Sequence, residues 1–334
     1  MDELTRQVSD MYARFPYPSP QGRGRKLKEL RNLLTIFSLE NRYDFRGKRV
    51  LDAGTGTGHR LIEAAIAFQQ THFVAVDISE PPLEIARQAA AHEGLQNVDF
   101  QLFNIMKDEH TLGTFDIILS MGVIHHLSDP AHGLRMLIRN LSDDGIVFLY
   151  IYGKYGGRER MRRKQIVTLL NSKDRQEFAQ GIRLVKELGF DSFEYGWNLN
   201  FDDEESRDGL IVDAYLNVNE TLFDADHIFD LMRGSGLYGF SIYGLTLDKR
   251  GSLFDARYAS SERGIGETIN VASHLRSPLL QASYDRLSLV DKYRLIDLLF
   301  EPNGYTLIGF KAGATRYFVP EGRVMANAVM IADL

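Results

Sequence analysis

Residues 50–60 read VLDAGTGTGHR. Val50 and Leu51 are β-formers leading into Asp52. Gly54, Gly56 and Gly58 then alternate ahead of a helical stretch. Glycine recurs where backbone must turn tightly or pass too close to a ligand for a Cβ. A glycine-rich turn that opens a helix suits phosphates and nucleotides of many kinds. Two details narrow the choice. A dinucleotide fingerprint asks for Gly or Ala where His59 stands, and a P-loop asks for a Lys followed by Ser or Thr, which this stretch lacks.

Outward from that turn, Arg49–Ala53, Phe73–Asp77, Asp99–Phe103, Phe115–Ser120 and Gly145–Tyr152 are short β-rich runs. Helical patterns at about 59–70, 80–93 and 130–140 separate several of them. Apolar strands alternating with helices predict an α/β, doubly wound parallel sheet. Ahead of it, residues 1–45 read as a helical arm: Leu4, Val8 and Met11 recur at helical spacing, Pro16, Pro18 and Pro20 interrupt it, and a second helix runs from about Gly24 to Glu40. Behind it, residues 154–334 read as a mainly helical insertion plus the last strands. A helical stretch at 157–190 has Ile166, Leu169, Leu170, Ile182, Val185 and Leu188 as its expected buried positions. Asp202–Asp208 is acidic and reads as a loop. A helix near Asp224–Ser235 precedes a strand at Leu237–Gly244, and a helix at 285–300 precedes a strand at Tyr305–Lys311. These two strands are taken to complete a sheet of seven; a separate small C-terminal domain is the alternative.

The glycine spacing behind an acid resembles motif I of the class I (Rossmann-like) S-adenosylmethionine-dependent methyltransferases. FVAVDIS (73–79), VDFQLFNI (98–105), FDIILSMGVIHHL (115–127) and LSDDGIVFLYIY (141–152) resemble the motifs that follow, in order. The resemblance covers about 45–152 and makes 46–153 the expected cofactor-binding core. It implies S-adenosyl-L-methionine as cofactor and S-adenosyl-L-homocysteine as product. It also implies cofactor contacts from Asp52, Gly54, Thr55, Gly56, Gly58, Asp77, Ile78, Asn104, Ile105 and Met121. Asp77 would accept hydrogen bonds from both ribose hydroxyls, which suits a cofactor without a 2′-phosphate. Ile78 would pack on the adenine, and Asn104 would approach its amine, where the family often has Asp.

Composition sets limits on what else the chain can do. It has 334 residues and no cysteine, which excludes disulfides, thiolate zinc sites, thiol nucleophiles and iron–sulfur clusters. A net charge of −6 argues against a nucleic-acid partner. Met1–Asp10 is polar and unlike a signal peptide, and the apolar run Ile146–Tyr152 is too short to cross a bilayer. The expectation is a cytoplasmic enzyme with no membrane partner. His and acidic residues show no metal-ligand spacing.

Methyl transfer from a sulfonium is mainly a matter of alignment, and a base is needed only where the acceptor must lose a proton. His125 and His126 follow the fourth strand at the carboxyl edge of the sheet, and either is a candidate base, His125 slightly preferred. The plainer reading has one packing on the sheet and the other touching cofactor or solvent. Tyr12, Phe15 and Tyr17 in the proline-rich arm are candidates for a lid, or for mere glue. Tyr152 and Arg158 are assigned to the acceptor side. Lys154, Arg158, Arg160, Arg162, Arg163 and Lys164, with Arg23, Arg25, Lys26, Lys28 and Arg31, form basic runs that collect an acidic substrate or, more simply, face solvent. Trp197, Asn198, Asp213, Tyr215 and Asn217 are the weakest candidates for an acceptor pocket. A small-molecule acceptor is favoured over an acidic protein partner and over a non-catalytic nucleotide binder. RNA methylation ranks lower still. A homodimer is compatible with an apolar face on the insertion.

Overall fold

The computed structural model describes residues 3–19, 27–107, 112–171, 177–191, 204–246, 275–320, 322–326 and 328–334. Trp197, Asn198, Pro20, Arg23, Arg25 and Lys26 lie outside them.

Two helices, α1 (Glu3–Arg14) and α2 (Glu29–Asn41), precede the sheet. Then come β1 (Arg49–Ala53), α3 (His59–Ala67), β2 (His72–Asp77), α4 (Glu80–His92), β3 (Val98–Leu102), β4 (Phe115–Met121), α5 (Pro130–Ile138) and β5 (Leu141–Tyr152). The chain continues through α6 (Arg158–Leu170), α7 (Phe178–Glu187), α8 (Glu204–Ile211) and α9 (Ala225–Arg233). β6 (Gly239–Thr246), β7 (Gly304–Phe310) and β8 (Ala328–Met330) finish the sheet.

The strand order is β3-β2-β1-β4-β5-β7-β6-β8. β1 to β5 run parallel, whereas β7 pairs antiparallel with β5 and β6 antiparallel with β7. The sheet is thus the expected doubly wound one, and both late strands belong to it. Among the described residues it has eight strands, not seven, because Ala328–Ser241 and Met330–Gly239 pairing adds a three-residue edge strand. So short a run carries no readable periodicity.

Alternate residues feed opposite faces. Val50 and Phe73 pack with Leu34 and Phe37 of α2 and Leu61 of α3, while Leu51 and Val74 pack with Leu134 and Leu137 of α5 and Phe229 of α9. Both faces are covered, which is why the strands read as continuous apolar runs. A satellite core joins Met11 of α1 to Val167, Phe178, Ile182, Ile211 and Val212 of the insertion. That cluster anchors the arm beside the carboxyl edge of the sheet.

Some expectations need correcting. The acidic stretch is helical from Glu204 onward, since Glu204 and Glu205 in the first turn complement the helix dipole. Leu169 and Leu170 are exposed, and Leu188 is exposed to a lesser degree; the buried position on α6 is Val167. Among the described residues no helix is long and apolar enough to cross a membrane.

Candidate active site

In this strand order the connections reverse between β1 and β4, and doubly wound sheets bind ligands at the carboxyl ends of such a pair. The backbone after β1 turns back on β2: the N–H groups of Gly54 and Thr55 donate to the carbonyl of Val76 at 2.8 and 2.9 Å. The Gly56 N–H donates to Asp77 Oδ2 at 2.8 Å, and the Ser79 N–H to Asp77 Oδ1 at 3.0 Å. Burial pushes the Asp77 carboxyl above its ordinary range, against the pull of these backbone donors. Burial likewise pushes Asp52 up to about 6. Gly56 has φ +56°, and a Cβ there would lie 2.5 Å from the Tyr17 carbonyl oxygen. The glycine is what lets the arm cross over the loop at this distance.

The loop floors a cavity with about 1090 Å³ of empty space, its open mouth included. Gly54, Thr55, Gly56, Asp77, Ile78, Asn104, Ile105 and Met121 all line it. Thr5, Val8, Tyr12 and Tyr17 of the arm form another wall, and His126, Tyr152 and Asp213 reach it as well. The lining is mostly apolar with a few convergent polar groups, as small-molecule sites usually are. Asp52, Gly58, His125 and Arg158 were also expected at the site, and none of them lines the cavity. Gly58 instead lets α3 start against Ala86 of α4.

The two histidines part company. His125 is fully buried, its ring 4.0 Å from that of Tyr152, and neither ring nitrogen has a hydrogen-bond partner among the described residues. His126 lines the cavity, with Nδ1 2.9 Å from the carbonyl oxygen of Asn219. The Asn219 side chain donates to the carbonyls of His126 (3.1 Å) and Leu127 (2.7 Å), and the Thr221 N–H to that of His125 (2.8 Å). Residues 217–221 of the insertion therefore hold the histidine loop in place. Burial lowers both imidazoles below their ordinary range, so they are held neutral.

The arm is bonded at several points. Tyr12 Oη donates to Asp213 Oδ1 at 2.9 Å and accepts from Asn217 Nδ2 at 3.1 Å. Ser9 Oγ donates to the Ile78 carbonyl at 3.3 Å, and Thr57 Oγ1 to the Pro18 carbonyl at 2.8 Å. Phe15 packs edge-on against Phe178, and Tyr215 sits in the satellite core.

The basic runs are occupied elsewhere. Arg158 is exposed and pairs with Glu301 at 2.9 Å, so its assignment to the acceptor side does not match its position. Arg160 and Lys164 bind the buried Glu220, with Arg160 Nη1 2.8 Å from Oε2. Burial alone would raise the Glu220 carboxyl, but these two cations hold it well below the usual range. Arg162 and Arg163 pair with Glu159, and Lys154 with Asp224. Arg31 reaches Glu63 at 3.5 Å. One cavity cation escaped sequence reasoning: Arg60, two residues past Gly58, lies in the wall with Glu29 at 3.9 Å. The only available signal was its place at the end of the glycine stretch.

Comparison with known proteins agrees with this geometry. A family model described as a methyltransferase domain matches residues 44–167. An uncharacterized protein of Synechococcus sp. is 26% identical over 312 residues, covering 89% of this chain and 69% of that protein. A ubiquinone biosynthesis O-methyltransferase of Neisseria meningitidis is 30% identical over 125 residues, or 37% of this chain and 52% of the enzyme. The fold matches PKMT2 of Rickettsia typhi in complex with AdoHcy, with a TM-score of 0.51 at 18% identity over 89% of this chain and 53% of that one. The chain thus spans about half the length of the last two. Residues 44–167 thus match a methyltransferase domain, and the strand order and glycine loop around them are those that the resemblance to class I S-adenosylmethionine-dependent methyltransferases implies.

Proposed function

We propose that this chain transfers a methyl group from S-adenosylmethionine to a small-molecule acceptor, releasing S-adenosylhomocysteine. The observation that carries the reading is the cavity, with Asp77 and the glycine loop on its floor and the hydrogen-bonded pair Tyr12–Asp213 in its lining. The residues present fit the cofactor: the half-buried Asp77 carboxylate lines the cavity with acceptor capacity beyond its backbone donors, and the mostly apolar walls around it suit an adenine ring. Asp77 would take the ribose hydroxyls, Ile78 and Ile105 would sandwich the adenine, Asn104 would meet its amine, and Arg60 would offer a cation to the carboxylate end. The cofactor supplies an electrophilic methyl group on a sulfonium.

The chain's own residues do the rest. The arm excludes water, and such positioning is worth roughly 7–11 kcal/mol of barrier. His126 accepts the proton where the acceptor must lose one. An open groove flanked by Arg158–Lys164 would suit an acidic protein, but those residues are paired with Glu301, Glu159 and Glu220.

The test has two arms. Calorimetry should give binding of S-adenosylmethionine well above that of NAD, and Asp77→Ala should weaken it at least about tenfold. Equal affinity for NAD, or full affinity in the variant, overturns the cofactor assignment. Labelled donor in cell extract should mark small molecules; label confined to protein bands overturns the acceptor class.

A further inference from the structure

Asp213 is only 5% exposed, yet it lines the cavity. It sits in a π-helical turn, Val212–Leu216, a geometry often found at functional sites. Its Oδ1 accepts from Tyr12, whose hydroxyl is in turn satisfied by Asn217. Among the described residues no hydrogen bond reaches its Oδ2, and no Lys, Arg or His forms an ion pair with it.

The nearby cations are engaged elsewhere. Arg160 is held by Glu220, and Arg60 faces Tyr17 and Glu29. Among the described residues the Tyr12 hydroxyl and the more distant charge of Arg160 act on it, and a carboxylate this deep in a mostly apolar cavity is costly without a cation at hydrogen-bond distance. Tyr12 and Tyr17 also line the cavity, and aromatic rings attract cations.

We propose that Asp213 anchors the acceptor and that the acceptor carries a cationic nitrogen, an ammonium or amidinium. The inference rests on the methyltransferase reading of the same cavity and adds the charge class of its second ligand. Asp213 acts in binding and specificity; His126 remains the group for proton transfer. The same chemistry has a second source, the amino group on the methionine end of the cofactor, so the experiment must separate the two.

Protein loaded with S-adenosylhomocysteine is titrated with benzylamine, benzyl alcohol and benzoate, read by saturation-transfer NMR. These probes share one ring and differ in the charge they present. Benzylamine should bind at least about tenfold more tightly than either other probe. Asp213→Asn, nearly identical in shape, should remove that preference and change S-adenosylhomocysteine affinity by less than about threefold. The unchanged product affinity also reports that the variant is folded.

Benzoate or benzyl alcohol binding as well as benzylamine in the wild type overturns the proposal, as does no benzylamine binding. So does a preference that survives in Asp213→Asn. A variant that loses about tenfold or more in S-adenosylhomocysteine affinity hands Asp213 to the cofactor's amino group and overturns it too. If the wild type binds no S-adenosylhomocysteine, the methyltransferase reading fails instead, and the probe series on the unloaded protein still decides the role of Asp213.

Discussion

The carbonyl oxygen of Asn219 lies 2.9 Å from Nδ1 of His126, and that contact decides which imidazole nitrogen is basic. A carbonyl only accepts, so Nδ1 carries the hydrogen and Nε2 keeps its lone pair. His125, slightly preferred by sequence, packs its ring on Tyr152 and does not line this cavity.

His126→Asn should therefore lower kcat by roughly 10²–10⁴-fold for an acceptor that must lose a proton, with donor affinity nearly unchanged. The neutral ring is the active form, and burial lowers its pKa below the ordinary 6.5. Wild-type rate should be flat through neutral pH and fall only on the acidic side. A pH–rate profile under saturating donor checks this, and a variant with wild-type kcat removes His126 from the chemistry.

Gly56→Ala tests the crossing of arm and loop. The position has φ +56°, where an L-residue is strained by about 1–2 kcal/mol. The added Cβ would also press on the Tyr17 carbonyl, which is backbone and cannot swing away. Expected are a lower denaturation midpoint and a donor Kd at least about tenfold weaker by calorimetry. Unchanged binding would mean that the loop and arm do not meet the ligand together.

These two sites differ in how far the sequence alone could expose them. The floor is local: Val50 and Leu51 bury opposite faces, Asp77 ends the next strand, and the resemblance of these short stretches to the family's motifs is what marks them as candidates. The opposite wall is not local. Tyr12 meets Asp213 across 201 positions, and nothing in either stretch encodes that partner. Arg60 reads as an ordinary first-turn helix residue until α2 brings Glu29 beside it. Leu169 and Leu170 misled because α6 carries so many charged residues that its apolar stripe is weak, leaving Val167 to bury alone.

Tyr12→Phe keeps the ring and removes the hydroxyl that joins Asn217 to Asp213. Losing a partner to a buried polar group costs about 1–3 kcal/mol, here mostly in the docking of α1. Amides of Glu3–Arg14 should exchange faster with deuterium while those of β1 and β4 do not change. Donor KM should rise with little change in fold stability. Unaltered exchange in α1 would show that the satellite core alone holds the arm.

Asp297 gives a prediction away from the cavity. It is buried, accepts from the Ala225 N–H at 2.5 Å and from the Tyr305 hydroxyl, and burial pushes its pKa up to about 6 from 3.8. Between those values the folded state holds a proton that the unfolded chain has released. Stability from this group is thus full below about pH 4 and lost as pH rises through about 6, an effect on the order of 3 kcal/mol. Asn in its place cannot ionise and still offers one acceptor oxygen. The Asp297→Asn variant should gain on the wild type in urea midpoint between pH 4.5 and 7.5. Parallel midpoints across that range would mean that Asp297 is ionised in the folded state throughout, with Tyr305 and the start of α9 solvating its charge.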